Sequence, residues 1–218
     1  MNQVCEITDK RGLLIDVFVK TIILSSAFLS NSKTSGENTV YDQQRLIELV
    51  KQHALRFGDF TLASGKKASY YLDCRKLTLD SEGANVIAQG ILETMGDNLP
   101  DAVGGMAIGA DPITAAVITC GWQAGKPLKG FIVRKEAKAH GTGQQVEGPV
   151  ESGQTAVMME DVVTTGGSSL KAIEHARAFG LKVDRIIAIV DRGEKSAEIF
   201  DAVGVKFTSL LHVDDLGV

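Results

Sequence analysis

The sequence VMMEDVVTTGGSS, residues 157–169, joins three kinds of residue in a fixed order. An apolar, β-prone run from Thr155 to Met159 ends in the adjacent carboxylates Glu160 and Asp161. A run of threonines, glycines and serines follows and opens a helical pattern. This order predicts a strand that ends in two acids and turns through small residues into a helix, which is the repeating connection of a parallel α/β sheet.

The two ends of this connection suit different parts of one ligand. Backbone N–H groups and hydroxyls at the turn and the helix N-terminus suit a phosphate. The two carboxylates suit sugar hydroxyls or a hydrated Mg²⁺, and they would repel a bare phosphate. The stretch therefore predicts a site for a phosphorylated sugar. The alternative is an ordinary strand–turn–helix connection with surface acids, but residues 164–169 hold more hydroxyls and glycines than such a connection needs.

Composition limits the classes of protein to which the chain can belong. Its 218 residues are enough for one sizeable core. The net charge of −4 provides no overall field for nucleic acid, so no nucleic-acid partner is expected and an anion site must be built locally. The three cysteines (Cys5, Cys74 and Cys120) are scattered without metal-ligand spacing, which indicates a reduced, cytoplasmic location.

The N-terminal region has a different character. Residues 13–29 are strongly apolar, but Asp16 and Lys20 interrupt them, and the segment is slightly short for a membrane-spanning helix. A secretory signal is also disfavoured, because acids precede the apolar run and no clear cleavage site follows it. Residues 1–40 are therefore interpreted as an extension and polar linker, or as an upstream start that is not the real one. No membrane association is expected.

Strands and helices alternate through residues 41–218, which predicts an α/β domain with a central parallel sheet covered by helices on both faces. A β-hairpin is predicted to precede this sheet. Ligands bind beyond the carboxyl ends of such strands. Side chains at or just past those ends are expected to converge: Asp111, Arg134, Glu160 and Arg192. Helices are predicted at 41–55, 81–95, 112–124, 168–179 and 196–202, and strands at 60–62, 69–73, 102–108, 128–133, 154–159, 186–190 and 206–211.

Residues 134–148, RKEAKAHGTGQQVEG, cluster four cationic or titratable side chains in an acidic protein: Arg134, Lys135, Lys138 and His140. The segment follows a predicted strand and is too rich in glycine to form a stable helix. These features predict a mobile loop that closes over an anion. A solvated charged loop is the alternative, but the neighbouring phosphate site favours the functional interpretation.

Two of these segments resemble known family motifs. Residues 157–169 resemble the phosphoribosyl-pyrophosphate (PRPP) motif of the type I phosphoribosyltransferases: hydrophobics, two acids, hydrophobics, then Thr and small residues. Residues 134–148 resemble the R-K-x-x-K-x-H-G-x-G loop of one family among them, the orotate phosphoribosyltransferases.

Two further segments agree with that family. Residues 57–73, FGDFTLASGKKASYYLD, resemble its hairpin hood, which implies a small hood at about 41–75. Arg192, in the sequence Asp-Arg-Gly after a hydrophobic strand, matches the arginine that receives the orotate carboxylate, and a guanidinium grips a carboxylate with two hydrogen bonds. A solvated Asp–Arg turn is the alternative. The resemblance covers residues 42–215 and leaves out the N-terminal extension.

The resemblance implies transfer of phosphoribosyl from PRPP to N1 of orotate, giving orotidine 5′-monophosphate and diphosphate in de novo pyrimidine biosynthesis. Mg²⁺ would be held mainly by PRPP and water, with no direct protein ligand. A homodimer would share loop 134–148 across its interface. The implied catalytic residues are Lys135, Lys138, His140 and Asp161, and the implied orotate-binding residues are Thr164, Arg192 and Tyr71. The implied PRPP-binding residues are Arg134, Lys135, Lys138, His140, Glu160, Asp161, Val162, Val163, Thr164, Thr165, Gly166, Gly167 and Ser168.

The chain departs from the family pattern at several positions. Glu160 stands where an aspartate is more usual, and Ala63 and Gly109 stand where many relatives carry lysine. Asp111 is a candidate neighbour of Mg²⁺. Two alternatives stay open: a purine phosphoribosyltransferase, which should lack the hood and the Lys-x-His loop, and a PRPP-sensing regulator, which should carry a basic nucleic-acid face.

Overall fold

A computed structural model of the chain describes residues 41–61, 67–136, 145–193 and 195–218. The described residues belong to one compact unit. The predicted extension at 1–40 lies outside them, so its separation from the domain stays a prediction. Three single positions discussed above also lie outside them: Ala63, Lys138 and His140.

Within the described residues, eight strands form two sheets. The hairpin strands β1 (Leu55–Thr61) and β2 (Lys67–Leu72) pair antiparallel. The other six form one sheet in the spatial order β5-β4-β3-β6-β7-β8, parallel throughout except that β5 is antiparallel to β4. Its strands are β3 (Ala102–Met106), β4 (Lys129–Val133), β5 (Val146–Glu147), β6 (Thr155–Val163), β7 (Lys182–Asp191) and β8 (Lys206–His212). The predicted fold class is confirmed.

Helices pack on both faces of this sheet. Val157 and Met159 of β6 belong to one buried cluster, whereas Met158 between them belongs to a second cluster on the opposite face. The helices are α1 (Gln43–Leu49), which continues into a π-helical turn (Val50–Ala54), α2 (Arg75–Thr78), α3 (Ser81–Met95), α4 (Ala110–Gln123), α5 (Gly167–Phe179) and α6 (Ser196–Asp201), followed by a 3₁₀ turn (Val213–Leu216).

Several predicted boundaries were wrong. The first hairpin strand begins at Leu55, within the predicted first helix, because the helix ends in a π-helical turn whose sequence carries no stop signal. β3 ends at Met106 rather than residue 108. The short elements β5 and α2 were not predicted. The most important correction concerns β6, which does not end before the two acids but runs through them to Val163.

Gly90 of α3 offers a test of the packing between the hood and the sheet. A Cβ atom at Gly90 would lie 2.8 Å from Cε2 of Tyr41 and 3.0 Å from Cδ1 of Leu210. Gly90→Ala gains roughly 1 kcal/mol of helix propensity but loses roughly 1–3 kcal/mol by overpacking, so a net loss of about 1 kcal/mol in the free energy of unfolding is expected. Urea denaturation measures it. Asn85→Ala, on the exposed face of the same helix, is the control, and a stabilised Gly90→Ala variant would contradict this packing.

Candidate active site

The two acids of β6 are fixed by the sheet. Glu160 pairs with Ala188 of β7, and two residues further on Val162 still pairs with Val190. The side chains of Glu160 and Asp161 therefore project from a strand with a paired backbone, on opposite faces of the pleat. Their positions relative to the strand are set before any ligand arrives.

The turn after β6 depends on one glycine. Gly166 has φ +69°, a left-handed conformation that L side chains rarely adopt, and a Cβ atom there would lie 3.2 Å from Cζ of Phe200. Helix α5 begins at Gly167 directly after it. Around this turn Thr164, Thr165 and Ser168 are exposed. The turn thus presents hydroxyls beside a helix N-terminus, which is an arrangement that binds oxyanions.

Glu160 is tied to the first turn of α5. Its Oε2 accepts hydrogen bonds from Ser169 Oγ at 2.7 Å and from Ser168 Oγ at 3.2 Å. The residue is only 6% exposed. Burial raises its pKa to about 7, and the neighbouring Asp161 adds to the increase. The buried Ser169 was missed at the sequence level, where nothing distinguished it from its exposed neighbour.

The raised pKa of Glu160 makes stability depend on pH. From its ordinary pKa of 4.5 up to about 7, the folded chain binds more protons at this carboxyl than the unfolded chain does. Its contribution to the free energy of unfolding is therefore full below pH 4.5 and is lost as the pH rises through about 7.

Glu160→Gln removes this titration and keeps an oxygen to accept the serine hydroxyls. The loss of unfolding free energy between acid and neutral pH should be about 1–2 kcal/mol smaller in the variant, less than the full shift because the site opens to solvent. Denaturant titrations over a pH series measure it. Glu174→Gln, at an exposed carboxyl of α5, should reproduce the parent profile. Parallel profiles for the parent and Glu160→Gln would contradict the assignment.

Asp161 faces the loop after β3. Its Oδ1 accepts a hydrogen bond from the backbone N–H of Val162 at 2.9 Å. A Cβ atom at Gly109 would lie only 3.0 Å from the same oxygen. The loop after β3 therefore approaches this carboxylate as closely as a glycine allows. Asp161 and Gly109 line one cleft together.

Arg192 follows β7 and is held by the hood. Its Nε donates a hydrogen bond to the hydroxyl of Tyr70 at 3.2 Å, and its guanidinium carbon lies 4.6 Å from the centroid of the Tyr70 ring. The stack fixes the plane of the guanidinium and leaves N–H groups to grip a planar carboxylate. Tyr70 was missed at the sequence level, where the adjacent Tyr71 was chosen instead.

The residues around Arg192 brace its backbone. Asp191 is buried, and its Oδ1 accepts hydrogen bonds from Ser196 Oγ at 2.6 Å and from the N–H of Gly193 at 2.8 Å. A Cβ atom at Gly193 would lie 2.5 Å from the carbonyl oxygen of Thr164. The Asp-Arg-Gly sequence is thus an internally bonded turn, packed against the turn that follows β6.

These parts meet in an open cleft of about 330 Å³. The predicted residues that line it are Tyr71, Lys135, Glu160, Asp161, Val162, Thr164, Ser168 and Arg192. The predicted residues that do not line it are Arg134, Val163, Thr165, Gly166 and Gly167. Val163 is buried, and Arg134 points to Glu147, with 3.8 Å between Nη1 and Oε1. Lys138 and His140 lie outside the described residues.

The expected convergence of four strand-end side chains is half realised. Glu160 and Arg192 line the cleft, whereas Asp111 and Arg134 do not. Oδ1 of Asp111 is buried and has no hydrogen-bond partner among the described residues, and burial raises the pKa of this carboxyl. Cleft residues that were missed come from the hood, from the end of β3 and from the loop after β3: Leu72, Asp73, Arg75, Met106, Ala107 and Ile108.

Similarity to known proteins agrees with this geometry. An orotate phosphoribosyltransferase of Rhodopirellula baltica is 50% identical over 190 residues, which cover 84% of this chain and 98% of the relative. The chain belongs to the orotate phosphoribosyltransferase family. This is a family of pentosyltransferase enzymes, so the predicted family and enzyme class are confirmed. A second orotate phosphoribosyltransferase, from Aquifex aeolicus, is 39% identical over 80% of this chain and 97% of the relative.

Solved structures of orotate phosphoribosyltransferases share the fold. The Mycobacterium tuberculosis enzyme in complex with Fe(III) dicitrate superposes with a TM-score of 0.72 at 36% identity, covering 81% of this chain and 99% of that one. The same enzyme in complex with PRPP gives a TM-score of 0.70 at 32% identity, with coverage of 81% and 99%. No family model matches the chain. In the described part of the chain, no helix is both long enough and apolar enough to cross a membrane.

Proposed function

We propose that the chain transfers phosphoribosyl from PRPP to N1 of orotate, forming orotidine 5′-monophosphate and diphosphate in pyrimidine biosynthesis. The observation that supports it most is the meeting of Asp161, the hydroxyl-rich turn at Thr164 and Arg192 in one cleft. PRPP needs a site for its sugar beside a site for its phosphate, and orotate needs a cation for its carboxylate. This cleft offers all three.

PRPP is held by β6 and the turn that follows it. Backbone N–H groups and hydroxyls from Thr164 to Ser168 bind the 5-phosphate at the N-terminus of α5. Glu160 and Asp161 accept hydrogen bonds from the ribose hydroxyls. Ser168 donates to Glu160 in the free enzyme at 3.2 Å. Because this hydroxyl has a single hydrogen to donate, Ser168 exchanges its hydrogen bond to Glu160 for one to the 5-phosphate when PRPP binds.

Orotate lies against the hood. Arg192, aligned by Tyr70, binds its carboxylate with two parallel hydrogen bonds. The ring of Tyr71, which is 39% exposed and lines the cleft, packs against the base. Thr164 offers its hydroxyl from the neighbouring turn. Because the ring nitrogen of orotate is already acidic, no strong protein base is required.

Two opposite charges develop during transfer, one on the anomeric carbon and one on the departing diphosphate. Asp161 faces the anomeric carbon, which becomes cationic as diphosphate leaves, and such preorganised charge is usually the largest catalytic term. Lys135 lines the cleft just after β4 and neutralises the leaving group. Arg134, Lys138 and His140 of the same loop would assist it once the loop closes over the diphosphate, since Arg134 points to Glu147 here.

Mg²⁺ suits the oxygen donors of this cleft. Hard carboxylate oxygens at Asp161 and Asp73 line it, and Mg²⁺ prefers oxygen ligands while retaining water and substrate phosphates. Within the described residues, no three His, Cys, Asp or Glu side chains group as a metal-ligand set. PRPP and water would supply most of its ligands. When bound, the ion offsets the negative charge of the diphosphate.

A homodimer that shares loop 134–148 would complete the site. The two ends of this loop lie side by side, since the N–H of Arg134 donates to the carbonyl oxygen of Gln145 at 2.8 Å. Mixing an Asp161→Asn variant with a Lys138→Ala variant tests the sharing. Subunit exchange should restore part of the activity, because one of the two mixed sites is then intact. No gain on mixing would contradict a shared loop.

A panel of bases tests the assigned reaction. Orotate, uracil, adenine, hypoxanthine and guanine are each incubated with enzyme, PRPP and Mg²⁺, and base loss and diphosphate release are followed. Only orotate should be consumed, and excess EDTA should stop the reaction. Consumption of a purine without loss of orotate would contradict the assignment and favour the purine alternative. No turnover with tight PRPP binding would favour a regulator.

A further inference from the structure

A preassembled ion pair of the hood lines the cleft, and its arginine has no role in the reaction proposed above. Asp73 follows β2, and Arg75 begins α2 two residues later. Arg75 donates from Nε to Oδ1 of Asp73 at 2.8 Å and from Nη2 to Oδ2 at 3.2 Å. The backbone N–H of Arg75 also reaches Oδ1, at 3.3 Å. This two-pronged pair fixes the plane of the guanidinium on the cleft wall.

The pair leaves donors unused. A guanidinium carries five N–H hydrogens, and the contacts to Asp73 occupy two of them. Among the described residues, Asp73 supplies every hydrogen bond that the Arg75 side chain makes. That side chain is 49% exposed, and a half-exposed pair of this kind contributes little to stability. The remaining N–H groups are available to a ligand in the cleft.

The distribution of charge in the cleft indicates which ligand group the unused N–H groups of Arg75 bind. Orotate carries one carboxylate, and Arg192 is already oriented to bind it. A diphosphate carries several negative charges, whereas Lys135 and Arg75 are the other cations that line the described part of the cleft. The loop after β3 adds no cation, because its residues are Ala107, Ile108 and Gly109.

We propose that Arg75 binds the diphosphate group of PRPP, with Asp73 as the residue that positions it. The hood thus supplies a positive charge for the diphosphate that the loop after β3 does not supply. Arg75 and Asp161 line the same cleft. This places the cation on the wall of the cleft in which Asp161 faces the anomeric carbon, from which the diphosphate departs. The proposal rests on the proposed function.

Steady-state kinetics of Arg75→Ala, Arg75→Gln and Arg75→Lys test it. Loss of a charge-assisted hydrogen bond should raise KM for PRPP about tenfold in the Ala and Gln variants. Lysine keeps the positive charge but lacks the planar, two-pronged donor group of arginine. The KM for PRPP of Arg75→Lys should therefore lie between that of the parent and those of the Ala and Gln variants. KM for orotate should stay within about twofold of the parent value, since Arg192 is untouched. Arg45→Ala, which removes an arginine paired with Glu48 and Glu82 outside the cleft, is the matched control and should leave both constants unchanged.

Calorimetric titration with inorganic diphosphate separates this proposal from the proposed function. The parent chain should bind diphosphate in the presence of Mg²⁺, and Arg75→Gln should bind it about tenfold more weakly whether or not orotate is the base consumed. A rise in KM for orotate alone would indicate that Arg75 binds orotate and not the diphosphate, and it would overturn the proposal. Unchanged PRPP kinetics and unchanged diphosphate affinity in folded Ala and Gln variants would overturn it as well.

Discussion

Asp161→Asn is expected to lower kcat roughly 10²–10³-fold, the usual cost of removing one preorganised electrostatic contact at a reacting centre. The asparagine is almost the same size, and its amide oxygen still accepts the N–H of Val162, which donates to Asp161 Oδ1 at 2.9 Å. What it lacks is the negative charge that faces the anomeric carbon. The fold should therefore be intact, and kcat should fall far more than the affinity for PRPP. Steady-state kinetics with both substrates varied measure the two effects separately.

The control for this variant is a carboxylate on the same sheet but away from the cleft. Asp184 of β7 has a side chain that is 81% exposed, and its ion-pair contact to Arg185 is a long one of 3.8 Å. Asp184→Asn changes the net charge by the same amount and should keep parent kinetics. A kcat for Asp161→Asn within a few-fold of the parent value would show that the charge of this side chain does not stabilise the transition state.

Arg192→Ala is expected to raise KM for orotate roughly 100-fold, because a carboxylate that loses a two-pronged guanidinium partner loses several kcal/mol of binding. KM for PRPP should change much less, since the PRPP contacts lie on β6 and its turn. Arg192→Lys should recover only part of the loss, as an ammonium group cannot reproduce the planar fork. Initial rates at saturating PRPP with orotate varied provide the measurement.

Tyr70→Phe refines the same test. It removes the hydroxyl that accepts from Arg192 Nε at 3.2 Å but keeps the ring under the guanidinium. The rise in KM for orotate should therefore be several-fold rather than 100-fold. If Arg192→Ala left KM for orotate unchanged while Tyr70→Phe raised it, the carboxylate would be bound elsewhere on the hood.

The sheet and its main site were predictable because local sequence encodes them. The apolar run of β6 and the small residues after it mark a strand, a turn and a helix, and this order recurs in a parallel sheet. Glu160, Asp161 and Thr164 could be selected because each occupies a defined place in that pattern. Their positions in the cleft agree with the prediction, while the roles assigned to them stay predictions for the experiments above.

Tertiary contacts decided what the sequence did not predict. The strand β6 continues past the acids because Val162 and Val163 pair with residues of β7. The sequence of β6 alone does not show that this pairing occurs. Tyr70 could not be told from Tyr71, since only the docking of the hood against β7 shows which ring meets Arg192. Asp73 and Arg75 look like an ordinary surface pair until the cleft beside them is known. The cytoplasmic location, the Mg²⁺ requirement and the dimer stay predictions.

The extension of β6 through its acids has an entropic consequence. Ordering one residue of a flexible loop costs roughly 1–2 kcal/mol of backbone conformational entropy. Glu160 lies in a strand that is hydrogen-bonded to β7 on both sides of it, at Met159 and Val162. The backbone there has little freedom left to lose when a ribose binds. Most of the free energy of the sugar contacts can therefore contribute to binding affinity. The entropy lost in ordering the backbone on binding falls on segments of the chain outside this strand.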